Sequence, residues 1–396
     1  MPNCHSRESG NPVNSRFLDA CLRRHDENLL NYSNRIGDKD MTFLYALLLL
    51  GILIFVHEFG HFLAAKLIGV RVLKFSLGFG PALLRKKYGD TEYLLSSVPL
   101  GGYVKMLGES LEDELKEEEK PMAYNYQPVW KRFFIVFSGP LFNIVFAGLI
   151  FFLIFLYGLP VMLPEVKDIL PQTPAERVGI LKGDTITAID GSPITQWDEM
   201  TKIIHSSPGR KLSVDIKRNN EVIRISVTPE KKKVKDVFGQ EKEIGIIGIT
   251  PSGKTFIKQQ GLFQAVGNAI QRTWEVSVLT VVALVKLIQR IIPVDTLGGP
   301  ILIFQMAGEQ ASIGFLNFFV FMAVISINLG VLNLLPIPIL DGGHIMFLGI
   351  EAIRRKPLHE KFIKVAQGVG LAIIIFIIVL ATYNDIMRLI TGKTIP

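Results

Sequence analysis

Thr42-Phe-Leu-Tyr-Ala-Leu-Leu-Leu-Leu-Gly-Ile-Leu-Ile-Phe-Val-His-Glu-Phe-Gly-His61 is the stretch that decides the fold class. Nothing in it is charged before His57, and the apolar run passes into the histidines without a break. At about 1.5 Å per residue, a helix climbs roughly 22 Å from Thr42 to His57. Entering a hydrocarbon layer about 30 Å thick at Thr42, it carries both histidines past the middle. Ionisable side chains at that depth are costly, so they are expected to face a protein interior or a wet cavity. Residues four apart on a helix differ by about 40° in direction, which puts His57 and His61 on one face. Two imidazoles so placed can hold one Zn2+ ion, and Glu58 stands beside the first as a candidate general base toward an attacking water. The bland alternative is a polar helix-packing patch, because the five-residue pattern also occurs on unrelated helices.

Outward from this stretch, the chain reads as a membrane protein. Of its 396 residues 49% are apolar and the mean hydropathy is +0.35, gathered into long runs. Three further spans are expected: Val129 to Leu159, Phe315 to Leu335 and Ala366 to Ala381. The basic residues behind the net charge of +7 are scattered or sit beside these runs, so the charge is read as membrane orientation and no nucleic-acid partner is expected. Cys4 and Cys21 are the only cysteines, which removes disulfides and thiolate metal sites from everything after Met41.

The fold class expected is a polytopic α-helical membrane protein with about four transmembrane helices, a membrane-associated β-hairpin element and one inserted soluble domain. Residues 1–40 are polar and aperiodic, and are read as a disordered tail or a misplaced start ahead of Met41. Residues 41–160 form an N-terminal membrane core. Within it, 70–107 carries recurrent Gly and Pro and the turn-like Tyr88-Gly89-Asp90, the pattern of hairpins. Residues 161–250 alternate in polarity, with strands at Leu212–Ile216 and Val222–Val227 joined by an Asn219-Asn220 turn, and an amphipathic helix at Trp197–His205. Residues 251–312 are read as an amphipathic periplasmic or interfacial region, with 263–292 lying along the membrane surface. Residues 313–396 form a C-terminal membrane core.

Short loops orient the chain. Lys66, Arg71, Lys74, Arg85, Lys86 and Lys87 follow the first span; Arg354, Arg355, Lys356, Lys361 and Lys364 follow the third. Both stretches are expected to face the cytoplasm, which puts 161–250 in a periplasm-like space and the histidines near the cytoplasmic side of an inner membrane.

Zinc needs a third protein ligand, and two candidates lie at membrane depth: Asp341 and His344. Asp341 follows Pro336 and Pro338, which interrupt a helix and free backbone carbonyls. Such irregular backbone is tolerated in a membrane only when buried in protein or lining a wet pocket.

His57-Glu58-Phe-Gly-His61 followed by Asn333-Leu-Leu-Pro336-Ile-Pro338-Ile-Leu-Asp341-Gly342 resembles the site-2 protease family of intramembrane zinc metalloproteases, in its regulator of sigma-E protease branch. Pro99-Leu-Gly-Gly-Tyr-Val-Lys105 and Ser138-Gly-Pro-Leu-Phe-Asn143 are similar to that family too, in the right order from Met41 nearly to the C-terminus. The resemblance implies His57, His61 and Asp341 as zinc ligands and Glu58 as general base. It implies that Asn143, Asn333 and Asn328 help position substrate or the active-site backbone; ordinary helix–helix hydrogen bonding is the alternative. It implies a single PDZ domain over the inserted residues, on Gly179-Ile-Leu-Lys-Gly183-Asp-Thr-Ile and Ala188-Ile-Asp-Gly191, with either a peptide ligand or a steric gating role.

The expected function is zinc-dependent hydrolysis of peptide bonds in transmembrane segments of single-span proteins, of the anti-sigma-factor or signal-peptide-remnant kind. The expected partners are those substrates and the lipid bilayer. A membrane-anchored peptidase acting on soluble peptides and a non-catalytic PDZ scaffold are the rivals.

Overall fold

A computed structural model describes residues 14–109, 115–235 and 240–391; the acidic stretch 110–114 and both extreme termini lie outside the described residues. The first helix, α1 (Asn14–Ile68), carries the apolar stretch over Met41–Ile68, long and apolar enough to cross a membrane. The chain then turns at Gly69, whose φ of +89° suits a residue without a Cβ.

Strands β1 (Val72–Tyr88) and β2 (Thr91–Met106) follow, joined at Gly89-Asp90. Both are bent, and the pairing shows how. Residues 82–88 pair with 91–96, from Leu84 opposite Leu95 to Tyr88 opposite Thr91. Residues 92–98 also run beside 74–79 in the same direction, from Lys74 beside Glu92 to Phe79 beside Val98. Residues 102–106 close on the far side of that segment, with Phe75 opposite Val104. The two strands therefore build a sheet four segments wide, with 102–106 at one edge. Gly78, at φ +88°, makes the bend possible, since a Cβ there would strike the Val98 carbonyl oxygen.

Helix α2 (Val129–Tyr157) is the second long apolar helix and ends where Gly158 takes φ 108°. Strand β3 (Leu159–Met162) leads into the inserted domain: β4 (Val166–Ile169), α3 (Pro174–Arg177), β5 (Thr185–Ile189), β6 (Ser192–Pro193), α4 (Trp197–His205), β7 (Leu212–Arg218), β8 (Glu221–Val227), β9 (Glu230–Lys235), β10 (Glu241–Ile246) and β11 (Ile249–Pro251). Strand β12 (Thr255–Lys258) leads out and pairs with β3, so entry and exit strands lie side by side. The domain's sheet runs β6-β5-β7-β8, over a core of Ile186, Ile189, Leu212, Val214 and Ile216 closed by Met200 and Ile204 of α4. Asn219 and Asn220 sit at φ 48° and 73° between β7 and β8, with Arg218 paired to Glu221. Two successive left-handed residues make the tight hairpin turn that Asn tolerates. Both α4 and this turn lie where the sequence puts them.

Helix α5 (Leu262–Ile288) is amphipathic, as expected, but its contacts do not run across the ends of the spans. Thr273 lies beside Gly148 in the middle of α2, and Thr280 beside Asn328 of α7 (Phe315–Asn333), so α5 runs along the bundle. The physical reason is a buried stripe of Ala265, Ala269 and Thr273, small enough for backbones to approach closely. The stretch before α7 holds a helix that sequence reading missed, α6 (Pro300–Ile313), seated on α1 through Ala307 and through Gly308, which has room for no Cβ against Thr42.

Helix α7 stops at Asn333 because Pro336 has no N–H and biases Leu335 away from helix. The chain restarts in α8 (Asp341–Arg354), with Asp341 in its first turn. Helix α9 (Glu360–Thr391) is the fourth span-length helix. Its buried Asp385 accepts hydrogen bonds from the N–H groups of Gly299 (2.9 Å) and Leu302 (3.0 Å), satisfying the free donors at the start of α6. The bundle core is shared by Ala46, Leu49 and Leu53 of α1, Ala147, Ile150 and Phe151 of α2, and Phe318, Met322 and Ile327 of α7.

Candidate metal centre

The crossing of α1 and α2 is built on small residues. A Cβ on Gly60 would meet the Ser138 carbonyl oxygen at 2.5 Å, and one on Gly139 would collide with the imidazole of His61. This close approach brings His61 Nδ1 to 2.9 Å from the carbonyl oxygen of Ile135 on α2. An Nδ1–H donated there leaves Nε2 as the free lone pair.

The Pro336–Pro338 turn folds back over the start of α8. Cβ atoms on Gly342 or Gly343 would run into the carbonyls of Leu334 and Ile337, so these glycines set how closely the turn packs. The result aims Asp341 at α1: its carboxylate lies 3.1 Å from His57 Nε2 and 3.5 Å from His61 Nε2, and the two Nε2 atoms are 3.3 Å apart. A tetrahedral zinc with ligand bonds of about 2.0–2.1 Å separates its donors by roughly 3.3 Å. Spacing and donor chemistry both fit that ion. His344, the other candidate ligand, is not in this cluster; it lines the adjoining cavity with its ring edge-on to Phe347.

The cavity measures about 490 Å³ and reaches Glu58. One wall is the sheet edge, Gly102 to Val104 and Met106; the others come from α2, α8 and the first turns of α9. Gly102 is pressed against Glu58, where a Cβ would come within 2.9 Å of Glu58 Cγ. Farther from the ligands, Arg132 of α2 pairs with Glu351 of α8, with guanidinium and carboxylate both largely buried, and Arg132 also donates to the Gln127 carbonyl at 3.0 Å. Tyr124, just ahead of α2, also lines the cavity; burial pushes its hydroxyl well above the usual phenol range, so it contributes a neutral polar group.

The three asparagines separate. Asn143 is fully buried with its amide 3.1 Å from His57 Nδ1, and Asn333 places its amide 3.5 Å from His57 Nε2. Asn328 is not at the centre: its side chain lies 2.7 Å from the Thr280 hydroxyl, bridging α7 and α5. Sequence reading missed the Ile135 carbonyl, Gly139 and the Arg132–Glu351 pair. Only Gly139 left a trace, within Ser138-Gly-Pro140; a backbone carbonyl has no sequence signature.

Comparison with known proteins finds relatives that cover most of the chain. A protein of Campylobacter jejuni described as a candidate zinc metalloprotease is 37% identical over 354 residues, covering 88% of this chain and 94% of its own length. The regulator of sigma-E protease of Escherichia coli is 31% identical over 443 residues, covering 86% of this chain and 97% of its own. Among solved structures, the PDZ domain of the SdrC-like protein of Listeria innocua is 28% identical, covering 23% of this chain and 96% of that one, with a TM-score of 0.19. The model of peptidase family M50 matches residues 45–377, the span that holds both histidines, Glu58 and Asp341, and the chain is therefore a metalloprotease of family M50, the site-2 protease family.

Proposed function

We propose that this protease cuts peptide bonds inside the membrane-spanning segments of single-span proteins, with His57, His61 and Asp341 holding zinc and Glu58 as general base. The observation that carries the reading is the meeting of the two histidines with Asp341 on helices buried among span-length neighbours, beside a cavity with a sheet edge as one wall. Bound there, zinc would polarise the scissile carbonyl and acidify an attacking water. Glu58 takes the proton and later passes it to the leaving amine. A helical substrate hides its peptide bonds, so it must unwind first; an extended stretch can then pair along the 102–106 edge of the membrane-associated hairpin element. Asn333 lies close enough to the ligands to hold a substrate carbonyl in place.

The basic loops after the first and third spans support an orientation with the cavity on the cytoplasmic side of an inner membrane and the 161–250 domain in the periplasm. That domain is read as PDZ-like, a steric filter or a peptide-binding module. Substrates of this class include anti-sigma factors already trimmed outside the membrane and signal-peptide remnants.

The test is cleavage of a tagged single-span substrate by purified protein in detergent. Cutting within the span by the wild type, and none by Glu58→Gln or after chelation, is the expected result. Equal cutting by wild type and Glu58→Gln sinks the catalytic assignment. Preference for a soluble peptide over the spanning segment points to the membrane-anchored peptidase.

A further inference from the structure

The two histidine ligands are served differently at their second nitrogen. His61 Nδ1 has the Ile135 carbonyl, an acceptor by nature, at 2.9 Å. The group facing His57 Nδ1 is the side-chain amide of Asn143, whose Nδ2 lies 3.1 Å away while its Oδ1 is buried without a hydrogen-bond partner. A zinc ligand that binds through Nε2 carries its proton on Nδ1, so an NH2 facing it sets donor against donor. A half-turn of the amide removes both faults: Oδ1 accepts from His57 Nδ1–H, and the orphaned oxygen gains a partner. Apart from its amide, Asn143 makes a separate backbone contact: its carbonyl accepts a hydrogen bond from the buried Ser326 hydroxyl of α7 at 2.8 Å.

We infer that Asn143 is a positioning residue for the metal, its amide oxygen accepting from His57 Nδ1–H and so setting the tautomer and ring orientation of that ligand. The residue therefore acts through His57 and not on substrate; its side chain is fully buried. This inference rests on the zinc reading above.

The test is Co2+ titration of the metal-stripped full chain in detergent, read by visible ligand-field absorption, with kcat and KM measured alongside. Asn143→Leu keeps the approximate volume and removes the acceptor; it is expected to weaken metal binding by about 10–100-fold, lowering kcat at given metal while KM holds. Asn143→Asp keeps an acceptor oxygen and is expected to restore affinity. Ser326→Ala disturbs the same helix contact without touching the amide and is expected to bind like wild type. Unchanged affinity in Asn143→Leu with a raised KM overturns the inference in favour of a substrate contact. Equal loss in Asn143→Leu and Asn143→Asp, or in Ser326→Ala, overturns it in favour of packing. Wild type that binds no Co2+ removes the zinc reading itself. If Asn143→Leu does not fold, ¹⁵N-histidine spectra of the metal-loaded wild type and Asn143→Asp decide: an Nδ1-protonated His57 whose proton moves downfield in Asn143→Asp is expected, and an unmoved proton overturns the inference.

Discussion

The imidazole of His61 occupies the space that a Cβ on Gly139 would need. Gly139→Ala must therefore displace either the α1–α2 contact or the imidazole of His61, a proposed ligand, and the ring is the softer of the two. We expect metal affinity to fall by about 10–100-fold, the range seen when ligand orientation is disturbed. Gly148→Ala on the same helix, where a Cβ would meet only Thr273 Oγ1 at 3.4 Å, should bind metal normally. Metal titration of both variants checks this; equal affinity for the two would mean that the helices absorb the strain.

Gly102 separates the sheet edge from Glu58, the proposed general base. A Cβ there would lie 2.9 Å from Glu58 Cγ and 2.9 Å from the Ser76 carbonyl oxygen, and the backbone oxygen cannot yield. Glu58 must move instead. A displacement near 1 Å at a reacting group can cost about 100-fold in rate. Gly102→Ala should lower kcat on that scale and leave metal content intact, which separates it from Gly139→Ala in one preparation.

Arg132 and Glu351 tie α2 to α8, and α8 carries Asp341. Their side chains are 11% and 18% exposed, so the loss of one partner strands a buried charge. Breaking such a pair costs about 3–5 kcal/mol. Glu351→Ala should lower the thermal midpoint in detergent clearly, and reversing both charges together should recover part of it. A midpoint within a degree of wild type would show the pair to be solvated in the micelle.

In the inserted domain, burial resists the charging of Asp184, but the Arg218 guanidinium and the Leu181 N–H outweigh it and hold the carboxyl below its ordinary value. A carboxyl whose folded pKa is depressed contributes stability above its unfolded pKa, about 3.9, and loses it as pH falls through the lower folded value. The domain should therefore weaken below about pH 4. Asp184→Asn should be less stable at neutral pH and show a shallower acid slope. Thermal melts of both proteins between neutral and acid pH decide it, and parallel slopes would refute the role of this carboxyl.

Much of this protein was legible in one dimension. Length and hydropathy suffice for the four spans, because a helix in hydrocarbon must be apolar over a set length whatever it packs against. The α4 helix and the Asn219-Asn220 turn were readable because periodicity and left-handed backbone are local properties. The His57–His61 pair was readable because helical geometry alone puts residues four apart on one face. Other features depend on contacts between segments distant in sequence. The resemblance already implied Asp341 and not His344, but what brings its carboxylate to the two histidines is the folded Pro336–Pro338 turn, since both residues lie in the first turn of one helix. Asn143 and Asn328 look alike in sequence, yet one meets a zinc-ligand candidate and the other a threonine on α5, because the crossing of α2, α5 and α7 decides which face each presents. The small stripe on α5 drew that helix alongside the bundle where amphipathicity alone suggested the surface. Sequence determined the four span-length helices and which residues could ligate; tertiary packing, through glycines that let backbones approach and carbonyls that meet ring nitrogens, decided which of them meet.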